Sequence, residues 1–282
     1  MKLLVAVDFS PASDIALKGV AARLWPPGTT ATVLNVCDRN GLSFEHAGAQ
    51  VATAAGVLRA AGLEPASLVL TGDPKTVIVE QARRMEADFI FVGSHGSGGI
   101  AHFLLGSVGQ AVVRHAPCSV EVVRAPARER QSGAGMRILL ATDGSESSLN
   151  AARMVAALPW PKDTLVRVFN VLELIGSLFE APYLDPGLME QHRAESMERS
   201  QAAVTAAERI ISDAGLTTSE SISVLLDAPK HVIVGEAAEW GADLIVLGVH
   251  GHTGLDRFLP GRVSEGVAID AGCSVDVIRK KR

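Results

Sequence analysis

The chain contains the same plan twice. LLVAVDFSPASDIAL at 3–17 returns as ILLATDGSESSLNAA at 138–152, and TVLNVCD at 32–38 returns as VRVFNVLE at 166–173. ADFIFVGSHG at 87–96 returns as ADLIVLGVHG at 242–251, and APCSVEVVR at 116–124 as AGCSVDVIR at 271–279. Four matched blocks in one order mark a duplication, which dictates the architecture more tightly than any propensity. Asp8 and Asp143 are 135 positions apart, as are Val36 and Val171, whereas Gly93 and Gly248, like Cys118 and Cys273, are 155 apart. The second half has therefore gained 20 residues after Val171, and Pro74 and Pro229, already 155 apart, put the gain before Pro229. The polar, aperiodic, glycine-containing stretch 126–136 reads as a linker between a domain at 1–125 and a domain at 137–282.

Within each half, short Val/Leu/Ile runs alternate with helical patterns. Strands are expected at 3–7, 31–36, 67–71, 88–93 and 119–124, with helices at 13–24, 45–61, 74–86 and 107–115. The second half repeats this with strands at 137–142, 164–171, 220–226, 243–248 and 274–279, and helices at 147–158, 188–214, 229–240 and 263–270. Strands joined through helices must run parallel, with right-handed crossovers. The composition agrees, since 48% of residues are hydrophobic but only 4% aromatic, the diet of strands buried on both faces under Ala-rich helices. The fold class is α/β: two tandem doubly wound five-stranded parallel-sheet domains, Rossmann-like.

Charge excludes several roles. The net charge of −5 and scattered basic residues argue against a nucleic-acid reader, and Arg279-Lys280-Lys281-Arg282 reads as a solvated tail. No apolar run approaches a membrane span, and MKLLVAVDFS reaches Asp8 too soon for a signal peptide, so a cytoplasmic protein is expected. Cys37, Cys118 and Cys273 are odd in number and form no CxxC pair, so they read as small buried apolar side chains.

In doubly wound sheets, ligands sit beyond the carboxyl ends of the strands where the winding reverses. The first strand ends on Asp8, and the fourth opens into Gly93-Ser94-His95-Gly96-Ser97-Gly98-Gly99, followed by Leu105-Gly106-Ser107-Val108 and a helix. A glycine-rich strand-to-helix loop can turn backbone N–H groups inward as an anion nest, reinforced by the helix N-terminus. Ser107 stands where an N-cap hydroxyl belongs, able to serve a phosphate or the helix. Asp8 facing the same crevice suits hydroxyl or amine donors; alternatively it caps the turn into the first helix. His95 and His250 have no matched His, Cys or carboxylate nearby in sequence and read as loop side chains near phosphate rather than general bases. The spacing is not Walker A, and the first strand's turn, Asp8-Phe9-Ser10-Pro11, lacks the dinucleotide fingerprint.

Gly93-x2-Gly96-x9-Gly106-Ser107 resembles the G-x2-G-x9-G-(S/T) pattern of the universal stress protein family, accompanied by that family's Asp after the first strand. The resemblance spans both halves. It implies the adenine nucleotide α-hydrolase-like fold, a nucleotide-responsive regulator, and ATP with Mg or Mn. Asp8 and Val36 would line the adenosine end, and Gly93, Gly96, Gly106, Ser107 and Val108 the ribose-phosphate end. The second half matches at Asp143, Val171, Gly248, Gly251, Gly261 and Val263, but Arg262 replaces Ser/Thr and Pro260 replaces Leu105. The second site is therefore expected to bind more weakly than the first or not at all. The resemblance further implies that the halves pair through their final strands; a homodimer is open to such a chain. Two rival readings remain: a nucleotide hydrolase or ligase of the same superfold, or a scaffold module that binds nothing.

Overall fold

A computed structural model describes residues 1–37, 44–94, 105–126, 134–173, 186–225, 228–251 and 261–280. The first half runs β1 (Lys2–Ala6), α1 (Pro11–Ala22), β2 (Thr30–Cys37), α2 (Phe44–Ala60), β3 (Glu64–Thr71), α3 (Pro74–Arg84), β4 (Phe89–Gly93), α4 (Ser107–His115) and β5 (Ser119–Val123). The second runs β6 (Arg137–Ala141), α5 (Glu146–Ala157), β7 (Leu165–Glu173), α6 (Pro186–Asp213), β8 (Thr217–Leu225), α7 (Pro229–Trp240), β9 (Leu244–Gly248), α8 (Arg262–Asp270) and β10 (Ser274–Ile278). The helix expected at 13–24 begins two residues earlier, because Ser10 accepts the Ser13 N–H as N-cap and Pro11 occupies the first turn. Of the 20 inserted residues, more than half lengthen one helix: α6 has 28 residues where α2 has 17.

Each half is parallel in the order 3-2-1-4-5, and the strands join into one sheet ordered β3-β2-β1-β4-β5-β10-β9-β6-β7-β8. Its only antiparallel neighbours among the described strands are β5 and β10, where Val122 faces Val275, Glu121 faces Asp276 and Val120 faces Val277. Pairing the two final strands leaves neither as an exposed apolar edge. One face of the sheet buries Leu3, Val5, Phe89 and Phe91, with Ile138, Leu140 and Val246 of the second half, beneath α1, α2, α5 and α6. The other buries Leu4, Ile90, Val120, Leu139, Ile245 and Val275 beneath α3, α4, α7 and α8. Both cores run through both halves. Among the described residues, no helix is long and apolar enough to cross a membrane.

A reciprocal clasp crosses the seam. Arg124, just past β5, donates to the carbonyls of Ala268, Ile269 and Cys273 at the end of α8, at 2.6, 3.2 and 3.2 Å. Its repeat equivalent Arg279 donates to Val113 and Arg114 at the end of α4, at 2.8 and 3.4 Å. Each guanidinium thus satisfies carbonyls that a helix C-terminus cannot, and sits at its negative pole. Burial pulls Arg279 down to about 10, which leaves it charged at neutral pH. All three cysteines are buried thiols; burial pushes Cys273 up to about 11, against the pull of Arg124.

Candidate functional site

The winding reverses between β1 and β4, and again between β6 and β9, so in each half the place where such sheets take a ligand, the crevice position, lies beyond those strand ends. Asp8 stands exposed just past β1. One of its oxygens, Oδ1, accepts the Ser10 N–H at 3.1 Å, and Asp143 does the same for Ser145 at 3.0 Å. Both aspartates therefore shape the turn into a helix while their carboxylates remain at the surface of the crevice. Between aspartate and serine the chain needs a positive φ. Gly144 supplies it at 80°, whereas Phe9 adopts 61°, a costly conformation for a bulky residue.

Gly93 and Gly248 have a reason to be glycine that the repeat alone does not reveal. A Cβ on Gly93 would lie 2.6 Å from the Ala12 carbonyl oxygen, and one on Gly248 would lie 2.6 Å from Ser147. The end of β4 or β9 thus rests directly against the first turn of α1 or α5. In the second half the loop after β9 is further tied down: His250 donates its N–H to Ser147 Oγ at 3.3 Å.

The glycine-rich loops close in the same way in both halves. Gly106 donates its N–H to the Ser94 carbonyl, and Gly261 to the Val249 carbonyl, each at 2.8 Å. This bond brings the start of α4 or α8 back to the strand end. Here the structure corrects one expectation: Gly106, not Ser107, is the N-cap of α4, and Ser107 is the first helical residue, exposed. Gly261 likewise caps α8, with exposed Arg262 first in the helix. Neither glycine offers a side-chain acceptor, so the first N–H groups of both helices are left to other acceptors. In the second half three expected residues meet. A Cβ on Gly251 would lie 2.7 Å from Asp143 Oδ2, and one on Gly261 would lie 4.0 Å from the Gly251 nitrogen. Val36, Val108, Val171 and Val263 are half-buried and pack on one apolar cluster. Gly96, His95 and Pro260 lie outside the described residues.

Two residues with a structural part in the crevice went unremarked in the sequence. Asn35 donates from Nδ2 to the Val7 carbonyl at 2.8 Å, and Asn170 to the Thr142 carbonyl at 2.7 Å. Both are buried, and each pins the strand end that carries the aspartate to its neighbour. The available signal was an asparagine conserved between the two copies inside a strand, where asparagine is disfavoured.

Comparison with known proteins agrees on the fold and the lineage. The universal stress protein family model matches residues 1–124 and again 136–279. A universal stress protein of Mycobacterium tuberculosis is 30% identical over 200 residues, covering 69% of this chain and 63% of that protein; the match thus spans less than two thirds of the relative's length. The crystal structure of a universal stress protein from Archaeoglobus fulgidus superposes with a TM-score of 0.68 at 20% identity, over 100% of this chain and 98% of that one. A Pseudomonas aeruginosa protein of unknown function gives 0.64 at 19% identity, over 99% and 92%. With the family model matched once in each half, this chain belongs to the universal stress protein family.

Proposed function

We propose that the chain is an adenine-nucleotide-binding regulator of a stress response that takes ATP, with Mg or Mn, in the crevice of its first half, with little or no turnover. The observation that carries the reading is the pairing of an exposed carboxylate with a helix start capped by glycine. Asp8 offers an acceptor for the hydroxyl or amine donors of a nucleoside, and the first N–H groups of α4, which Gly106 cannot cap with a side chain, favour a phosphate. Gly96 and the hydroxyl of Ser107 would join the phosphate end, and Val36 and Val108 would supply apolar contact. The divalent cation would neutralise phosphate charge. In the second half Asp143, Val171, Gly248, Gly251, Gly261, Arg262 and Val263 form the counterpart. The two halves act as one body held through β5 and β10 in this reading.

The test begins with the purified protein: absorbance at 260 nm, chromatography of any released nucleotide, then calorimetric titration with ATP and with GTP. ATP binding that survives extensive dialysis and reloading supports the reading. Absence of binding to both nucleotides would leave a scaffold module, and steady-state turnover would point to the hydrolase.

A further inference from the structure

At the middle of the ten-stranded sheet, one rung places two acids among hydrocarbons. It reads Val5, Phe91, Glu121, Asp276, Val246 and Leu140, from β1 through β6. Glu121 and Asp276 occupy equivalent places in the two repeats and face each other directly across the antiparallel seam. Their side chains are 5% and 2% exposed. Like charges at opposed positions repel, and burial amplifies the repulsion.

The cation that meets them is Arg23, at the end of α1, itself 8% exposed. Arg23 Nη1 lies 2.6 Å from Glu121 Oε2, and Nη2 lies 3.0 Å from Oε1, a two-pronged contact. Asp276 is more distant, with Oδ2 at 4.0 Å from Nη1, and its Oδ1 is buried without a hydrogen-bond partner. The guanidinium lies 5.6 Å from the Trp25 ring and 5.5 Å from that of its repeat equivalent, Trp160. The duplication supplied the acid twice but the arginine once: at the place equivalent to Arg23 the second half has Leu158, also buried. The other charges on α1 and α5, the helices packed on these two strands, are outward. Asp14 and Lys18 of α1 are exposed, and Glu146 of α5 pairs at the surface with Arg153 at 2.8 Å. Two ionised acids against one arginine would leave a net negative charge inside the protein, a state that costs several kcal/mol in general.

We propose that Glu121 and Asp276 hold one proton between them, with Arg23 balancing the remaining charge, so that the joint between the two halves is proton-dependent and loosens as pH rises. Burial first, and then the neighbouring Glu121, push Asp276 well above the ordinary carboxyl range, against the pull of Arg23. Burial works against the charge on Arg23, but Glu121 and then Asp276 outweigh it, so the guanidinium stays ionised. The sign follows from proton linkage. The folded protein keeps a proton that the unfolded chain loses near pH 4. Its stabilising contribution is therefore complete below that value and declines as pH rises, levelling off once the folded pair has ionised.

Urea unfolding of the full chain between pH 5 and 9 tests this, comparing the natural protein with Asp276→Asn and Glu121→Gln. In the natural protein the unfolding constant should rise roughly tenfold per pH unit while the pair holds its proton. Asp276→Asn, with a permanently neutral side chain, should remove that slope and be the more stable protein at pH 8 and above. Glu121→Gln leaves Asp276 as the sole acid beside Arg23 and should flatten the slope as well. Amide exchange of Val120, Val122, Val275 and Val277 should accelerate with pH beyond its intrinsic dependence in the natural protein alone. A carboxyl-¹³C NMR titration of Asp276 in the natural protein is the arm that needs no variant to fold. A signal showing full ionisation at pH 5, or identical stability slopes in the natural protein and Asp276→Asn, overturns the proposal.

Discussion

At the scale of single residues, the crevice separates two roles that the sequence presents together. Asp8 and Gly93 both look like ligand residues at strand ends, but their surroundings differ. Asp8 is exposed at the surface, where its Oδ1 accepts the Ser10 N–H. Asp8→Ala should therefore leave the melting temperature within a few degrees of the natural protein while weakening ATP on the order of tenfold to a hundredfold, the worth of hydrogen bonds to a charged group. Gly93→Ala should do the reverse first. Its Cβ would meet the Ala12 carbonyl oxygen, a backbone atom that cannot rotate away, so the first turn of α1 must shift from β4. A stability loss of about 1–3 kcal/mol is expected, as for other overpacked sites. Calorimetric titration and thermal unfolding of both variants check the split; a fully stable Gly93→Ala protein would contradict the close approach. Whether a glycine serves a ligand or a neighbouring backbone depends on space, which no spacing in the sequence encodes.

At the scale of elements, the alternation of strands and helices was legible because each is amphipathic or apolar over its own length and has its own punctuation. Ser10-Pro11 and Ser145 start helices as local chemistry says they should, and the strands of each half centre on the expected runs, although β3 and β8 each begin three residues earlier, over more polar sequence. The contacts that join elements distant in the chain were not legible. Arg124 and the end of α8 are 144 or more residues apart, and no local pattern marks an arginine as the cap of someone else's helix. The same holds for Arg23, 98 residues from Glu121. The clasp gives a crosswise prediction. Arg124→Met should expose the last turn of α8, in the other half, to faster amide exchange, and Arg279→Met the last turn of α4. Each should cost about 1.5–3 kcal/mol by urea unfolding, since the acceptors are left buried beside a lost charged donor. Loss of protection in the same half as the substitution, with the opposite helix unchanged, would show that the arginines do not clasp across the seam.

At the scale of the whole molecule, duplication has built a sheet with matched crevices at its two switch points and a seam whose register maps onto itself when the halves are exchanged. The scaffolds of the crevices are nearly identical: the same aspartate turn, the same asparagine staple, the same loop-closing bond. The residues that would meet a phosphate are not. Where α4 begins with Ser107, α8 begins with Arg262, and where the first loop has Ser94 the second has Val249. Two hydroxyls are lost and one guanidinium is gained. Arginine suits phosphate, yet Arg262 is exposed and would have to surrender its hydration and side-chain freedom to reach one. Fold and binding therefore come apart: a shared backbone can keep the second crevice in shape while its polar lining decays. The expected outcome is about one tightly bound ATP per chain, with the second crevice empty or much weaker, and a gain of second-site binding in Arg262→Ser. Calorimetric stoichiometry on the natural protein, on Arg262→Ser and on Asp8→Ala separates the sites. Asp8→Ala should weaken the tight phase roughly tenfold to a hundredfold, and Asp143→Ala should leave it intact. Two equivalent tight sites in the natural protein would mean that Arg262 replaces the missing hydroxyl as a phosphate ligand, and that the second crevice is a working site with different chemistry.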